Sequence, residues 1–151
     1  MIKIICVGKI KEQYFRDGIL EYQKRLSKYT KLEIIEVKDF DDSNISKTMT
    51  LEKEEILKNI NLRDYIVALE IEGKELNSNE FASFIDKTLV NNSNITFIIG
   101  GSNGLHEDIK KLSNYKLSFS KLTFPHQLFR IIMLEQLYRA FKILNNESYH
   151  K

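Results

Sequence analysis

Apolar residues gather in five short runs bounded by polar or turn residues: Ile2–Val7, Leu32–Val37, Tyr65–Ile71, Ile95–Ile99 and Tyr115–Phe119. These read as strands. Several are continuous and do not alternate, as expected of parallel strands covered on both faces. Between them apolar positions recur at helical spacing. Lys11–Tyr29 sets Tyr14, Phe15, Ile19, Tyr22 and Leu26 along one stripe, and Asn44–Asn61 is a more polar segment. Asn79–Asn91 carries Phe81, Phe84, Ile85 and Leu89 behind an N-cap at Ser78 or Asn79. Glu107–Ser113 predicts a short helix. Pro125 suits the first turn of a final helix running to about Leu144, with Thr123 or Phe124 near its N-cap. Asn145-Asn146 can end it in the left-handed conformation. The expected fold is α/β, a mostly parallel sheet sandwiched by helices, in one domain over residues 1–151.

The last helix is apolar around more than one face: Leu128, Phe129, Ile131, Ile132, Met133, Leu134, Leu137, Tyr138, Phe141, Ile143 and Leu144. A surface helix normally shows a single stripe. A chain of 151 residues has little core in which to hide a second. The pattern therefore predicts a homodimer with two-fold symmetry.

Composition narrows the function class. No apolar run approaches the ~18 residues of a membrane helix, and the first residues read as a strand, not a leader. The single cysteine, Cys6, sits in an apolar strand, so no disulfide or cysteine metal cluster is expected. The three histidines are far apart, which speaks against any metal. A cytoplasmic location follows as the expectation. The net charge of +2 is unevenly spread: +4 over residues 1–30, −6 over 31–80, −2 over 81–109 and +6 over 110–151. If the two basic ends meet in space, they form a surface able to hold phosphates. Charge alone does not separate that face from a solvated lysine-rich one.

Chemistry concentrates near two strand ends. Gly100-Gly101-Ser102-Asn103-Gly104 follows the fourth strand, and its glycines let a ligand approach the backbone closely. It matches neither GxGxxG nor a Walker loop, so a phosphate cradle has no support, and a cofactor held by backbone amides and shape fits better. A plain tight turn explains the same letters. Ser118, Ser120, Lys121 and Thr123 decorate the loop after the fifth strand, ahead of Pro125-His126. Capping explains Thr123 but neither serine. His126 begins a helix, where the dipole lowers imidazole basicity. His106 reads as a helix-start residue. Arg130 lies in an apolar context, which suits a buried or ligand-facing role. Glu135 and Arg139 form an i,i+4 pair worth about 0.3 kcal/mol if exposed. Lys24 and Arg25 beside Tyr22 mix cations with an aromatic, as nucleic-acid contacts do, and as half-exposed helices also do. Tyr149-His150 is an unusual pair for a frayed tail, and such a tail can dock over a site and lend a base.

Further stretches are Val7-Gly8-Lys9, Glu21-Tyr22-Gln23-Lys24-Arg25 and Leu69-Glu70-Ile71-Glu72-Gly73-Lys74. With them stand Ile99–Leu105, Leu117–Gln127, Glu135–Ala140 and Tyr149-His150-Lys151. In these stretches, over essentially its whole length, the chain resembles a SPOUT-class family of ribosomal RNA large-subunit methyltransferases that act on N3 of a pseudouridine. The resemblance implies a sheet whose C-terminal part is threaded into a trefoil knot, a feature otherwise very rare. It implies S-adenosyl-L-methionine as cofactor, with Leu69, Gly100 and Phe119, Ser120, Lys121, Leu122, Thr123 and Phe124 lining its site beside Gly101 and Gly104. It also implies a homodimer with the site near the interface, and ribosomal RNA within the assembled ribosome as substrate. Holding the acceptor in line with the methyl group then supplies up to ~7–11 kcal/mol. A base adds ~10²–10⁴-fold. His150 is the expected base and Tyr149 a stacking partner, with His126 as the alternative base. Arg130 and Arg139 are expected to hold phosphates or fix the tail, and Lys24 and Arg25 to meet the RNA. The competing readings are a non-catalytic RNA- or ribosome-binding dimer and a Rossmann-type nucleotide enzyme. The missing phosphate fingerprint speaks against the latter.

Overall fold

The computed structural model describes residues 1–151. Five strands form one all-parallel sheet: β1 (Ile2–Val7), β2 (Leu32–Val37), β3 (Tyr65–Glu75), β4 (Ile95–Ile99) and β5 (Tyr115–Ser118). Their order is β2-β1-β4-β3-β5. The five helices are α1 (Gln13–Leu26), α2 (Ile45–Leu57), α3 (Ser78–Asn91), α4 (Glu107–Leu112) and α5 (His126–Leu144).

Successive side chains of a strand point to opposite faces, and here both faces are covered. Ile2, Ile4 and Cys6 of β1 and Ile95, Phe97 and Ile99 of β4 join Leu26 of α1, Phe81 and Ile85 of α3 and Met133, Leu134 and Leu137 of α5. Ile5, Val7 and Ile98 face the other way, toward Ile56 of α2 and Ile109 of α4. The sheet thus separates two apolar cores, which is why β1 and β4 read as unbroken apolar runs.

α5 lies between α1 and α3 over the first core. A Cβ on Gly18 of α1 would stand 3.0 Å from Ile131, and Ser78 of α3 bonds to Gln136 at 2.8 Å. Much of the second apolar face that pointed to a homodimer is therefore occupied by flanking helices of the same chain. The basic chain ends do meet: Arg25 of α1 lies over the Tyr138 ring of α5, 5.6 Å from its centroid.

Local signals placed the element ends only approximately: α1 runs Gln13–Leu26 within the expected Lys11–Tyr29, α2 stops at Leu57 and β5 at Ser118. The N-cap of α3 is Asn77, not Ser78 or Asn79, because Asn77 and Glu80 close a reciprocal capping box. Pro125 itself is the N-cap of α5 and makes no side-chain bond, so Thr123 does not cap. β3 runs to Glu75, past the expected Ile71. α5 ends as expected, with Asn146 at φ 53°, and His106 caps α4 by accepting from Asp108 N at 3.0 Å.

Candidate active site

In an all-parallel sheet the exits of all strands lie along one edge, the usual place for a ligand in α/β folds. Here three exits fold toward each other. After β4 the chain turns back at once: Gly104 N donates to Gly101 O at 3.0 Å, and Gly104 takes φ +78°. A Cβ on Gly100 would stand 2.7 Å from the carbonyl carbon and oxygen of Gly104, so only glycine permits this closure.

The exit of β3 is less regular. Leu69 and Lys74 both register against Leu117 of β5, so Glu70–Gly73 bow out of the ladder before pairing resumes. Gly73 passes so close that a Cβ there would lie 2.8 Å from the Leu117 backbone. The bow turns Glu70 inward, where its Oε2 is buried without a hydrogen bond and Lys110 Nζ lies 3.5 Å away.

The exit of β5 is shaped by its own serines. Ser118 Oγ donates to Ser120 O at 3.0 Å, and Leu122 N donates to Ser120 Oγ at 2.9 Å. These bonds answer why serines stand where no cap is needed. Phe119 meets Phe129 edge-on at 5.1 Å, and Phe124 stacks on Phe129 at 6.3 Å, so α5 props the loop from behind.

Together the three exits enclose a cavity of about 540 Å³. Of the residues expected to line a cofactor site, Leu69, Gly100, Gly101, Gly104, Phe119, Ser120, Leu122, Thr123 and Phe124 do line it. Lys121 does not, and is exposed. His126 joins the lining, with its Nδ1 buried and without a partner. Burial, then the nearby charge of Arg130, holds its imidazole below the ordinary histidine range; Lys11 adds to this and Asp39 opposes it. Glu70, Glu72, Glu107 and Lys110 were not expected in the lining. Only the polar continuation of β3 hinted at the first two.

Arg130 is corrected. It is 3% exposed, and its guanidinium is taken up inside the fold. Nη1 donates to Glu36 at 2.8 Å, and Nη2 donates to the carbonyls of Val7 and Gly8 at 2.9 and 2.8 Å. It ties the start of α5 to the exits of β1 and β2; three of its five N–H groups are used, Nε is buried without a partner, and burial is what keeps the group from a phosphate.

The tail docks against α5 and not over the cavity. Tyr149 donates to Glu135 Oε1 at 3.0 Å and sits edge-on to Tyr138 at 4.9 Å. Arg139 Nε donates to Glu135 at 3.0 Å, its guanidinium lies over the Tyr149 ring, and its Nη1 is 3.0 Å from His150 Nδ1. Glu135 is nine residues beyond His126, roughly 13 Å along α5. Tyr149, His150 and Arg139 thus form a second cluster, apart from the cavity lining. Lys24 and Arg25 are exposed on α1, where Arg25 bonds to Glu21 at 3.0 Å.

This edge, with a folded-back glycine loop facing a serine-built loop, has clear relatives. The model of a family described as "Predicted SPOUT methyltransferase" matches residues 1–150. The chain belongs to the SPOUT methyltransferase family. It is 51% identical over 154 residues to a ribosomal RNA large subunit methyltransferase H of Caldicellulosiruptor saccharolyticus, covering all of both chains. It is 53% identical over 157 residues to the protein of that name in Streptococcus uberis, covering 99% of each. Among solved structures, one described as a "probable methylase family protein" of Haemophilus influenzae aligns with TM-score 0.53 at 16% identity, over 99% of this chain and 70% of that one. A tRNA (m1G37) methyltransferase of Aquifex aeolicus aligns with TM-score 0.51 at 15% identity, over 91% and 69%. At that distance the structures speak for the shared SPOUT fold. No helix is long and apolar enough to cross a membrane, and no three His, Cys, Asp or Glu side chains gather into a metal site.

Proposed function

We propose that the chain, acting as a single domain over residues 1–151, methylates N3 of a pseudouridine in large-subunit ribosomal RNA, with S-adenosyl-L-methionine as donor. The observation that carries this is the cavity between the Gly100–Gly104 and Phe119–Phe124 loops, in a chain 51–53% identical to proteins named ribosomal RNA large subunit methyltransferase H. The cavity fits the donor in three ways. Its volume lies within the ~300–1,000 Å³ of small-molecule sites. Gly100 and Gly101 leave backbone accessible. Glu70, Glu72 and Glu107 against a single Lys110 give a lining of negative balance, suited to a cationic ligand.

When bound, S-adenosyl-L-methionine supplies a methyl carbon on cationic sulfur: the acceptor nitrogen's lone pair forms the N–C bond, the C–S pair goes to sulfur, and the nitrogen's proton leaves. The chain's own residues then have three tasks. Leu69, Leu122 and the phenylalanines exclude water and fix the donor. Lys24, Arg25 and the basic ends attract the RNA backbone. His150, steered by Arg139 and Glu135, takes the proton, and Tyr149 stacks on the base. His126 is the alternative acceptor of that proton.

A homodimer belongs to this reading. Tyr14, Leu122 and Leu128 expose large apolar side chains near the joined starts of α1 and α5, where Lys11 N bonds to Gln127. A twin packed there would bring its tail toward the cavity. The trefoil threading belongs to it too, supported by the crowding of β3, β5 and the loop to α5. The protein is read as cytoplasmic and as acting on assembled ribosomes, because its modest positive balance gives few phosphate contacts on naked RNA.

Calorimetry with S-adenosyl-L-methionine is the first test: a pure RNA-binding module gives no heat. Mass spectrometry of ribosomal RNA from cells with and without the gene is the second, with loss of one methyl group expected. Equal rates on naked RNA and intact ribosomes would contradict the requirement for the particle.

A further inference from the structure

The helix that carries Glu135 and Arg139 ends in a closed turn. Asn145 is its C-cap, and Asn146 takes φ 53°. Asn146 N donates to Ile143 O at 3.1 Å, and Glu147 N donates to Lys142 O at 2.9 Å. These are the two bonds of a Schellman motif, in which the residue after the left-handed one often adds an apolar contact back to the helix. Here that residue is Glu147, and a charged contact takes the place of the apolar one.

Three groups converge on a single oxygen, Glu147 Oε2. Lys142 Nζ donates to it at 2.8 Å and Tyr29 Oη at 2.9 Å, and Lys28 Nζ lies 3.6 Å away. Tyr29 comes from the far side of the sequence, 118 residues earlier, just past the end of α1. Its own place is fixed: the ring stacks on Phe141 at 5.8 Å and meets Tyr138 edge-on at 6.2 Å. Lys142, then Tyr29, hold the Glu147 carboxyl below the ordinary carboxylate range, so it is charged at neutral pH. A surface ion pair of this kind adds little to stability. What it fixes is direction. Ser148 follows, then Tyr149 and His150. Tyr149 rests edge-on against Tyr138, a ring that Tyr29 also touches. The tail is thus held at its tip by Glu135 and Arg139, and at its root by Glu147.

We propose that Glu147 is a positioning residue for the methyl transfer: it sets the line along which the chain leaves α5, and with it where Tyr149 and His150 stand. The proposal rests on the reading of that pair as stacking partner and base. In the homodimer of that reading, the same line sets how the pair approaches the twin's cavity. Without the clasp the chain is free to swivel about Ser148, and a misplacement of about 1 Å can cost on the order of 100-fold in rate. The tip contacts remain, so the loss expected here is smaller, about tenfold. Glu147 lies outside the cavity lining, so donor binding does not depend on it.

The test compares full-length Glu147→Ala with wild type in single-turnover methylation of ribosomal particles. The rate at saturating particles is expected to fall about tenfold, with affinity for S-adenosyl-L-methionine unchanged by calorimetry. The half-saturating particle concentration should not rise, since Lys28 and Lys142 lose a counter-charge. Glu147→Gln keeps the shape and can still accept from Tyr29, and should recover part of the rate. In a protein already carrying Tyr149→Ala and His150→Ala, adding Glu147→Ala should leave the residual rate as it is, because groups that act as a unit are not additive. A wild-type rate in Glu147→Ala overturns the proposal. So does a raised half-saturating concentration, which would make Glu147 a contact of the RNA face. So does a further tenfold fall in the doubly substituted background, which would mean that Glu147 acts elsewhere. Should Glu147→Ala fail to fold, Tyr29→Phe replaces it: the ring stack stays, one hydrogen bond is lost, and a fall of about threefold is expected. An unchanged rate there overturns the proposal. Full activity in the Tyr149→Ala, His150→Ala protein overturns the reading of the tail and this proposal together, whereas the Glu147 and Tyr29 outcomes strike this proposal alone.

Discussion

Arg130 on α5 reaches Glu36 on β2 across 94 residues of sequence, with Nη1 2.8 Å from Oε2. The same carboxylate oxygen accepts from Ile10 N at 2.9 Å. One ion pair thus fixes the β1 exit, the edge strand and the helix that follows the cavity loop. Removing one partner of a buried pair leaves the other charge uncompensated, at about 3–5 kcal/mol. Glu36 is itself 35% exposed, so the lower end applies. Glu36→Ala is expected to lose about 3 kcal/mol in urea unfolding. Arg130→Lys is not expected to restore wild-type stability, because one ammonium cannot copy the planar fork across Glu36, Val7 and Gly8.

Gly100→Ala is expected to weaken donor binding. The new methyl would need the space now held by the Gly104 carbonyl, and backbone on both sides cannot yield cheaply. The loop must open, and the cavity loses its glycine wall. Calorimetry should show at least a tenfold loss of affinity for S-adenosyl-L-methionine, the equivalent of ~1.4 kcal/mol. Thr123, in the opposite loop, does not cap α5, and Thr123→Ala should alter binding far less.

Strand spans were readable where burial on both faces forces a nearly continuous apolar run, as in β1 and β4, which coincide with Ile2–Val7 and Ile95–Ile99. The edge strand β2 was readable at Leu32–Val37 from its apolar residues alone, although Glu33 and Glu36 interrupt them and only Val37 is buried. The end of β3 was not, because Glu72-Gly73-Lys74-Glu75 look like a turn, and the strand resumes there only because Lys74 and Glu75 pair with β5 after the bow. Asn77 as N-cap was in principle visible, since Asn77-x-x-Glu80 is a capping-box spacing. The two loops of the cavity showed themselves as small residues after apolar runs. The partner of Arg130 could not show itself, since nothing local marks Glu36 as its neighbour. Nothing local joins Tyr29 to Glu147 either, 118 residues apart.

His126 gives the protein an acid-sensitive element. Its folded-state pKa is depressed, first by burial and then by Arg130, so folding favours the neutral ring. The sign follows from proton counts. Between the folded value and about 6.5, the unfolded chain binds more protons, so stability rises with pH there. This contribution is complete above about pH 6.5 and is lost as pH falls through the lower, folded value. His126→Asn is expected to flatten that acid limb. Urea midpoints measured from pH 7.5 down to 5 would show wild type losing more than the variant; parallel curves would contradict it.

The tail is where proton transfer should be most easily dissected. Burial and the bond to Glu135 push the Tyr149 phenol up to about 12, so it stays neutral and keeps donating at working pH. Its proposed role is to anchor and stack, and Tyr149→Phe should preserve the ring contact with Tyr138 and cost activity only modestly. His150→Ala removes the proposed base, and the single-turnover rate is expected to drop by ~10²–10⁴-fold with donor affinity unchanged. Glu135→Gln keeps the shape but removes the charge that holds Arg139 and Tyr149. In that variant, hydrogen exchange over residues 147–151 should quicken, and the rate should fall because the imidazole is no longer steered. Full activity in His150→Ala together with loss in His126→Asn would transfer the base to the cavity histidine. A rate that falls in Glu135→Gln without faster exchange of the tail would mean that Glu135 acts on the reacting groups directly and not through Tyr149 and His150.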